Sequence, residues 1–205
     1  MLEIVAFLIG VAAVTLSETM VPGPVTAVLV NKSHKNKYAG SLLTIGHVII
    51  ELPLILLIGL GLAQFLTLPL PKALISVAGG AMIFRMGYLM FANRHNYKVK
   101  EIEDERGILA AGIIATFSPY FFIWWATAGS ILVISSLEFG IMGFVLFIIV
   151  HQLTDLAWYQ ALSYSIYKTN RFWNEKTYWA ISVACGGFLM LFGLYFLYSA
   201  AGFLL

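Results

Sequence analysis

Six stretches of this chain are long and apolar enough to cross a lipid bilayer, at about residues 3–30, 39–66, 72–92, 107–134, 139–166 and 178–204. A spanning helix needs about 20 mostly apolar residues. Inside lipid, only helices and closed barrels satisfy their own backbone polar groups. These stretches are apolar all round, whereas a helix packed into a soluble core shows a polar face. The pattern predicts an all-α membrane protein of six transmembrane helices in one integral membrane domain, residues 1–205. Composition agrees: 60% of residues are hydrophobic and 11% charged, against roughly half and a quarter in soluble domains. Membrane lipid is therefore an expected partner. A net charge of +2 with basic residues scattered among short loops argues against nucleic acid. The single cysteine, Cys185, excludes an internal disulfide and dithiol redox chemistry. The chain opens Met1-Leu2-Glu3 without a basic n-region, so the first apolar stretch reads as a retained helix.

Lys and Arg set the expected orientation. The first loop carries Lys32, Lys35 and Lys37, the third Arg94, Lys98, Lys100 and Arg106, and the fifth Lys168, Arg171 and Lys176. The second has only Lys72 and the fourth none. Loops one, three and five are thus expected in the cytoplasm and both termini outside, in a plasma or bacterial inner membrane.

The chain repeats itself. Ile75-Ser76-Val77-Ala78 in the third stretch recurs as Ile181-Ser182-Val183-Ala184 in the sixth, with Gly80 matching Gly186 and Gly87 matching Gly193. The second stretch carries His47-x3-Glu51 and the fifth His151-x3-Asp155 at nearly the same offset. The first contains Pro22-Gly23-Pro24 and the fourth Ser118-Pro119. Two halves of three spans, about 1–93 and 107–205, must enter the bilayer in opposite senses. Inverted repeats with broken helices are the architecture of many secondary transporters, with the solute site near the midplane. The first and fourth helices are expected to be kinked or broken at proline.

Residues four apart share a helix face, so His47 and Glu51 form one pair and His151 and Asp155 another. Ionisable groups at bilayer depth are costly unless paired or facing water, and so mark function. The bland alternative is two hydrogen bonds that stitch helices together. Symmetry favours convergence at the central interface, where the pairs could relay protons, grip an ammonium group or bind a cation. Glu18, one turn before Pro22, suits a cationic group or a coupling proton. Pro22, Gly23, Pro24 and Pro119 free backbone groups, which is tolerated only where the chain is buried in protein or lines a cavity. Arg85, the only cation within a span, is expected to pair with Glu18, Glu51 or Asp155, or to snorkel to the cytoplasmic side. Trp124, Trp125, Trp158, Trp173 and Trp179 read as belt or packing residues. Gly79, Gly80, Gly186 and Gly187 read as close-packing positions that permit a homodimer without requiring one.

With Pro22-Gly23-Pro24, the basic loop Lys32 to Lys37, Gly40 and Gly46 in the next span, and six spans in two related halves, the chain resembles the LysE/RhtB-type amino-acid exporters. It departs from their pattern at Ser118-Pro119, where the family typically has Asn-Pro, and at His47, where many members have Asp. The resemblance implies export of amino acids driven by the proton motive force, with a small amino compound and protons as partners and no cofactor. The wider superfamily looks to contain divalent-cation exporters. His47, Glu51, His151 and Asp155 offer the imidazole and carboxylate that such ions prefer, which makes metal export the alternative. An enzyme is not expected: there is no His-Glu-x-x-His and no serine elbow, and His34 and His95 lie in polar loops.

Overall fold

Two prolines decide where the first and fourth apolar stretches stop being single helices. In the computed structural model, which describes residues 2–21, 23–61, 65, 68–95, 105–169 (only the backbone of Pro119) and 174–203, helix α1 covers Leu2–Thr19 and α2 covers Pro24–Ser33. Between them Gly23 is extended, with φ −146° and ψ −176°. Proline lacks an N–H and fits the first position of a helix, so the chain restarts at Pro24. Helix α5, Glu105–Thr116, ends in the same way. Ser118 is held extended ahead of proline, at φ −97° and ψ 143°, and its hydroxyl accepts the Phe121 N–H that opens α6, Pro119–Trp124. A wider π-type turn, Trp125–Gly129, leads into α7, Ser130–Leu137. The apolar spanning part of the fourth stretch is therefore residues 120–137, with 105–116 as a separate short helix.

The remaining elements are α3, Ala39–Gly59; α4, Pro69–Ala92; α8, Gly140–Lys168; and α9, Glu175–Gly202. No strand occurs among the described residues, and six helical segments are long and apolar enough to span a membrane. Pro22 lies outside the described residues, as do Lys98, Lys100, Arg171 and Trp173.

The principal packing partners come from opposite halves of the chain: α4 with α9, α3 with α5, α1 with α8, and α3 with α8. Glycine allows the closest of these approaches. A Cβ built on Gly80 would lie 2.9 Å from the Gly193 oxygen, and one on Gly193 2.7 Å from the Gly80 oxygen. Gly87 and Gly186 mirror them at 2.7 and 2.9 Å. Small residues let helix backbones meet in this way within lipid. Gly187 does not share the role, since a Cβ there meets open space. The α3–α5 crossing is as tight: a Cβ on Gly46 would collide with the Leu109 carbonyl, and one on Gly112 with that of Leu43.

Polarity is arranged for lipid. Leu74, Val77, Ile141, Met142, Leu191 and Leu194 point outward, while Thr44, Glu51, Ser76, Ser130, His151 and Asp155 are buried.

Candidate functional site

Helices α3 and α8 cross at the centre, and each brings one His-carboxylate pair. His47 and Glu51 lie one turn apart on α3, with His47 Nε2 3.0 Å from Glu51 Oε1. The same oxygen is 3.2 Å from His151 Nε2 on α8. Asp155 Oδ2 approaches His47 Nε2 at 3.7 Å and His151 Nε2 at 3.8 Å. All four side chains are buried, His151 and Asp155 completely. The two pairs thus form one cluster.

Each imidazole is held from behind by a threonine of a broken-helix region in the opposite half. His47 Nδ1 lies 2.7 Å from Thr116 Oγ1, near the end of α5, and His151 Nδ1 2.7 Å from Thr15 Oγ1 on α1. Thr116 donates its one hydroxyl proton to the Gly112 carbonyl at 2.8 Å, so toward His47 it accepts. The Nδ1 of His47 therefore carries a proton. Its Nε2 meets a carboxylate oxygen, so a further proton lies between His47 and Glu51 or Nε2 faces a lone pair.

Glu51 is the hub. Trp125 Nε1–H donates to Oε1 at 3.2 Å and the Gln152 amide to Oε2 at 2.6 Å. The π-type turn begins at Trp125, and such turns recur at functional sites. Trp124 stacks on His151 with ring centroids 6.1 Å apart. Asp155 is the contrast: neither of its oxygens has a hydrogen-bond partner among the described residues.

A cavity of about 140 Å³ adjoins the cluster, lined by Glu18, Gly23, Pro24, Val25, Thr26, His47, Thr116, Ser118, Tyr120, Phe121 and Tyr159 among others. Both helix restarts, at Pro24 and at Pro119, bring their first residues to its wall. At α2 no side chain caps the helix, and the first main-chain bond onto the cap is Ala27 N–H to Gly23 O at 2.9 Å. The Val25 and Thr26 N–H groups have no partner among the described residues, as the opening of an uncapped helix leaves them. Tyr159 is only 5% exposed and borders both the cavity and, one turn along α8, Asp155.

A family model described as LysE type translocator matches residues 16–200. The chain belongs to this family. No curated protein and no solved structure matches. As a LysE type translocator, the protein is a multi-pass membrane transporter with a small-molecule substrate, and not an enzyme.

Among the expected site residues of this translocator, His47, Glu51, His151 and Asp155 meet one another, while Glu18, Gly23 and Pro24 meet His47 at the cavity. Pro119 opens α6 between Ser118 and Tyr120, which line the same wall. Arg85 joins neither group and makes no ion pair with a carboxylate among the described residues. Ile83 and Gly87 turn inward on α4, and a residue two positions from each faces outward, where Arg85 is exposed. The pairing expectation for Arg85 fails for that reason. Trp125 is buried at the hub rather than in an aromatic belt. Nothing in the sequence marks Thr15, Thr116 or Gln152, which hold the cluster.

Proposed function

We propose that this translocator exports amino acids or closely related small amino compounds across the cell membrane in exchange for protons. The observation that carries the reading is the pairing of opposite charges across one small cavity. The uncapped start of α2 offers N–H groups without a partner among the described residues and the positive end of a helix dipole, which suit a carboxylate. Glu18 lines the same cavity and suits an ammonium group. A volume of about 140 Å³ is far below the roughly 300–1,000 Å³ of sites for drug-sized ligands, so the solute is small. Tyr159 and Ser118 supply further polar contacts at the wall.

Proton coupling rests on the neighbouring cluster. His47 belongs both to the cavity wall and to the His47–Glu51 contact, where a proton is needed between nitrogen and oxygen. A change of solute at the wall therefore acts on a proton-holding group directly. The reciprocal pairing of α4 with α9 and of α1–α8 with α3–α5 supports two halves related by an inverted pseudo-two-fold. The cavity then sits at their interface, where rocking of one half against the other exposes it to either side. Loops one, three and five face the cytoplasm, by the distribution of Lys and Arg.

The test is proton movement. Proteoliposomes carrying an internal pH dye, given an outward gradient of a small amino acid, should move protons opposite to the solute. Asp155→Asn should abolish this while the protein still folds. Amino-acid flux with no proton movement would refute the coupling.

A further inference from the structure

A proton closes the contact between His47 and Glu51 but leaves Asp155 unserved. That carboxylate is fully buried, lacks any hydrogen-bond donor among the described residues, and faces both imidazole Nε2 atoms at 3.7 and 3.8 Å. On the opposite side Glu51 Oε1 faces the same two nitrogens at 3.0 and 3.2 Å. His47, Glu51 and Asp155 each present a ligand atom within 4.8 Å of the other two. Donors bound to one ion at about 2.0–2.2 Å lie roughly 3–4 Å apart; the four imidazole–carboxylate contacts, at 3.0, 3.2, 3.7 and 3.8 Å, fall in that range, while His151 stands outside the group of three.

We propose that His47, Glu51 and Asp155 form a binding site for one divalent transition-metal ion, which His151 completes by a small shift onto it. Two imidazoles with two carboxylates suit Zn²⁺, Co²⁺, Ni²⁺ or Mn²⁺, whereas Ca²⁺ and Mg²⁺ prefer all-oxygen sets. Two carboxylates neutralise the charge of such an ion, which lowers the cost of holding it in an apolar interior. The outer contacts are of the kind that metal sites use. Thr116 fixes His47 through Nδ1 so that Nε2 presents its lone pair, Thr15 holds the His151 Nδ1, and Gln152 and Trp125 hold Glu51. His47 also lines the cavity, which gives the ion a route in. Two ligands come from α3 and two from α8, so a bound ion ties the halves together. On the transport reading above, it holds the exporter in one state and competes with the shared proton.

The test is titration of the full chain in detergent with Co²⁺, followed by visible absorption, and with Zn²⁺, followed by calorimetry. One ion per chain is expected, with Kd of about 1 µM or tighter. His151→Gln and Asp155→Asn should each weaken binding by at least about tenfold, a loss that even outer contacts of a metal site can produce. His95→Gln, in an exposed turn outside the cluster, should leave binding unchanged. Should His151→Gln fail to fold, Asp155→Asn decides, since that carboxylate has no hydrogen bond to lose. Binding weaker than about 1 mM, or equal in wild type and Asp155→Asn, overturns the site. Metal-free amino-acid counterflow on the same preparations tests the transport reading separately: flux without metal binding sinks only the site.

Discussion

Replacing Thr116 with valine removes one hydroxyl and keeps the side chain's shape. That hydroxyl is fully buried and makes two contacts, donating to Gly112 O at 2.8 Å and accepting from His47 Nδ1 at 2.7 Å. Thr116→Val strands the His47 N–H beside a methyl group. A buried donor left unsatisfied costs about 1–3 kcal/mol. For a chain of this size each kcal/mol moves the melting temperature by about 2–4 °C, so a fall of roughly 2–12 °C is expected. His47 also loses what fixes its ring toward Glu51, so transport should fall with stability. Thr116→Ser keeps the hydroxyl and should recover most of both. The assay is tryptophan-fluorescence melting in detergent alongside flux in proteoliposomes. The reasoning is refuted if Thr116→Val melts and transports like wild type, or if Thr116→Ser is as damaging.

Adjacent glycines should respond with opposite signs. A methyl on Gly186 lies 2.9 Å from the Gly87 oxygen, so Gly186→Ala should cost about 1–3 kcal/mol, while Gly187→Ala faces open space and should be neutral or stabilise by up to about 1 kcal/mol, read as melting temperatures. Glu51→Gln should lower the melting temperature more than Asp155→Asn. Glu51 accepts from Trp125 and Gln152 and approaches both imidazoles, so a neutral amide loses the charge that strengthens all four contacts. Asp155 has no such bonds to lose. Glu18→Gln removes the carboxylate of the cavity. Loss of a charged hydrogen bond costs about 1.5–3 kcal/mol, so amino-acid affinity should fall by roughly 10–150-fold, measured by equilibrium binding.

The meeting of the two His-carboxylate pairs was legible because two signals agreed. Spacing of four put His47 with Glu51 and His151 with Asp155, and the repeat put both pairs at one depth. The residues that hold the cluster were not legible. Thr116 spends its proton on its own helix, as Thr44 does on Gly40 O, and nothing in a sequence separates a threonine that also grips a histidine from one that does not. Trp125 needs the π-type turn that aims it inward, and hydropathy does not record helix pitch. Hydropathy runs through the break before Pro119 and so does not separate the short helix from the span, although Ser118-Pro119 marks its place. Pairing and an outward position were both open for Arg85, because a sequence shows its charge and not its direction, whereas the inward Ile83 and Gly87 around it define the face.

The central claim is that a small amino compound moves through the cavity between the two helix restarts. Counterflow in proteoliposomes with a panel of labelled amino acids and, in parallel, labelled divalent metals tests it most directly. The account predicts accumulation of at least one small amino acid against a preloaded excess, lost in Glu18→Gln, with no net passage of metal. Accumulation of a divalent metal with no amino-acid exchange would contradict it and would make the buried cluster, not the cavity, the transport site.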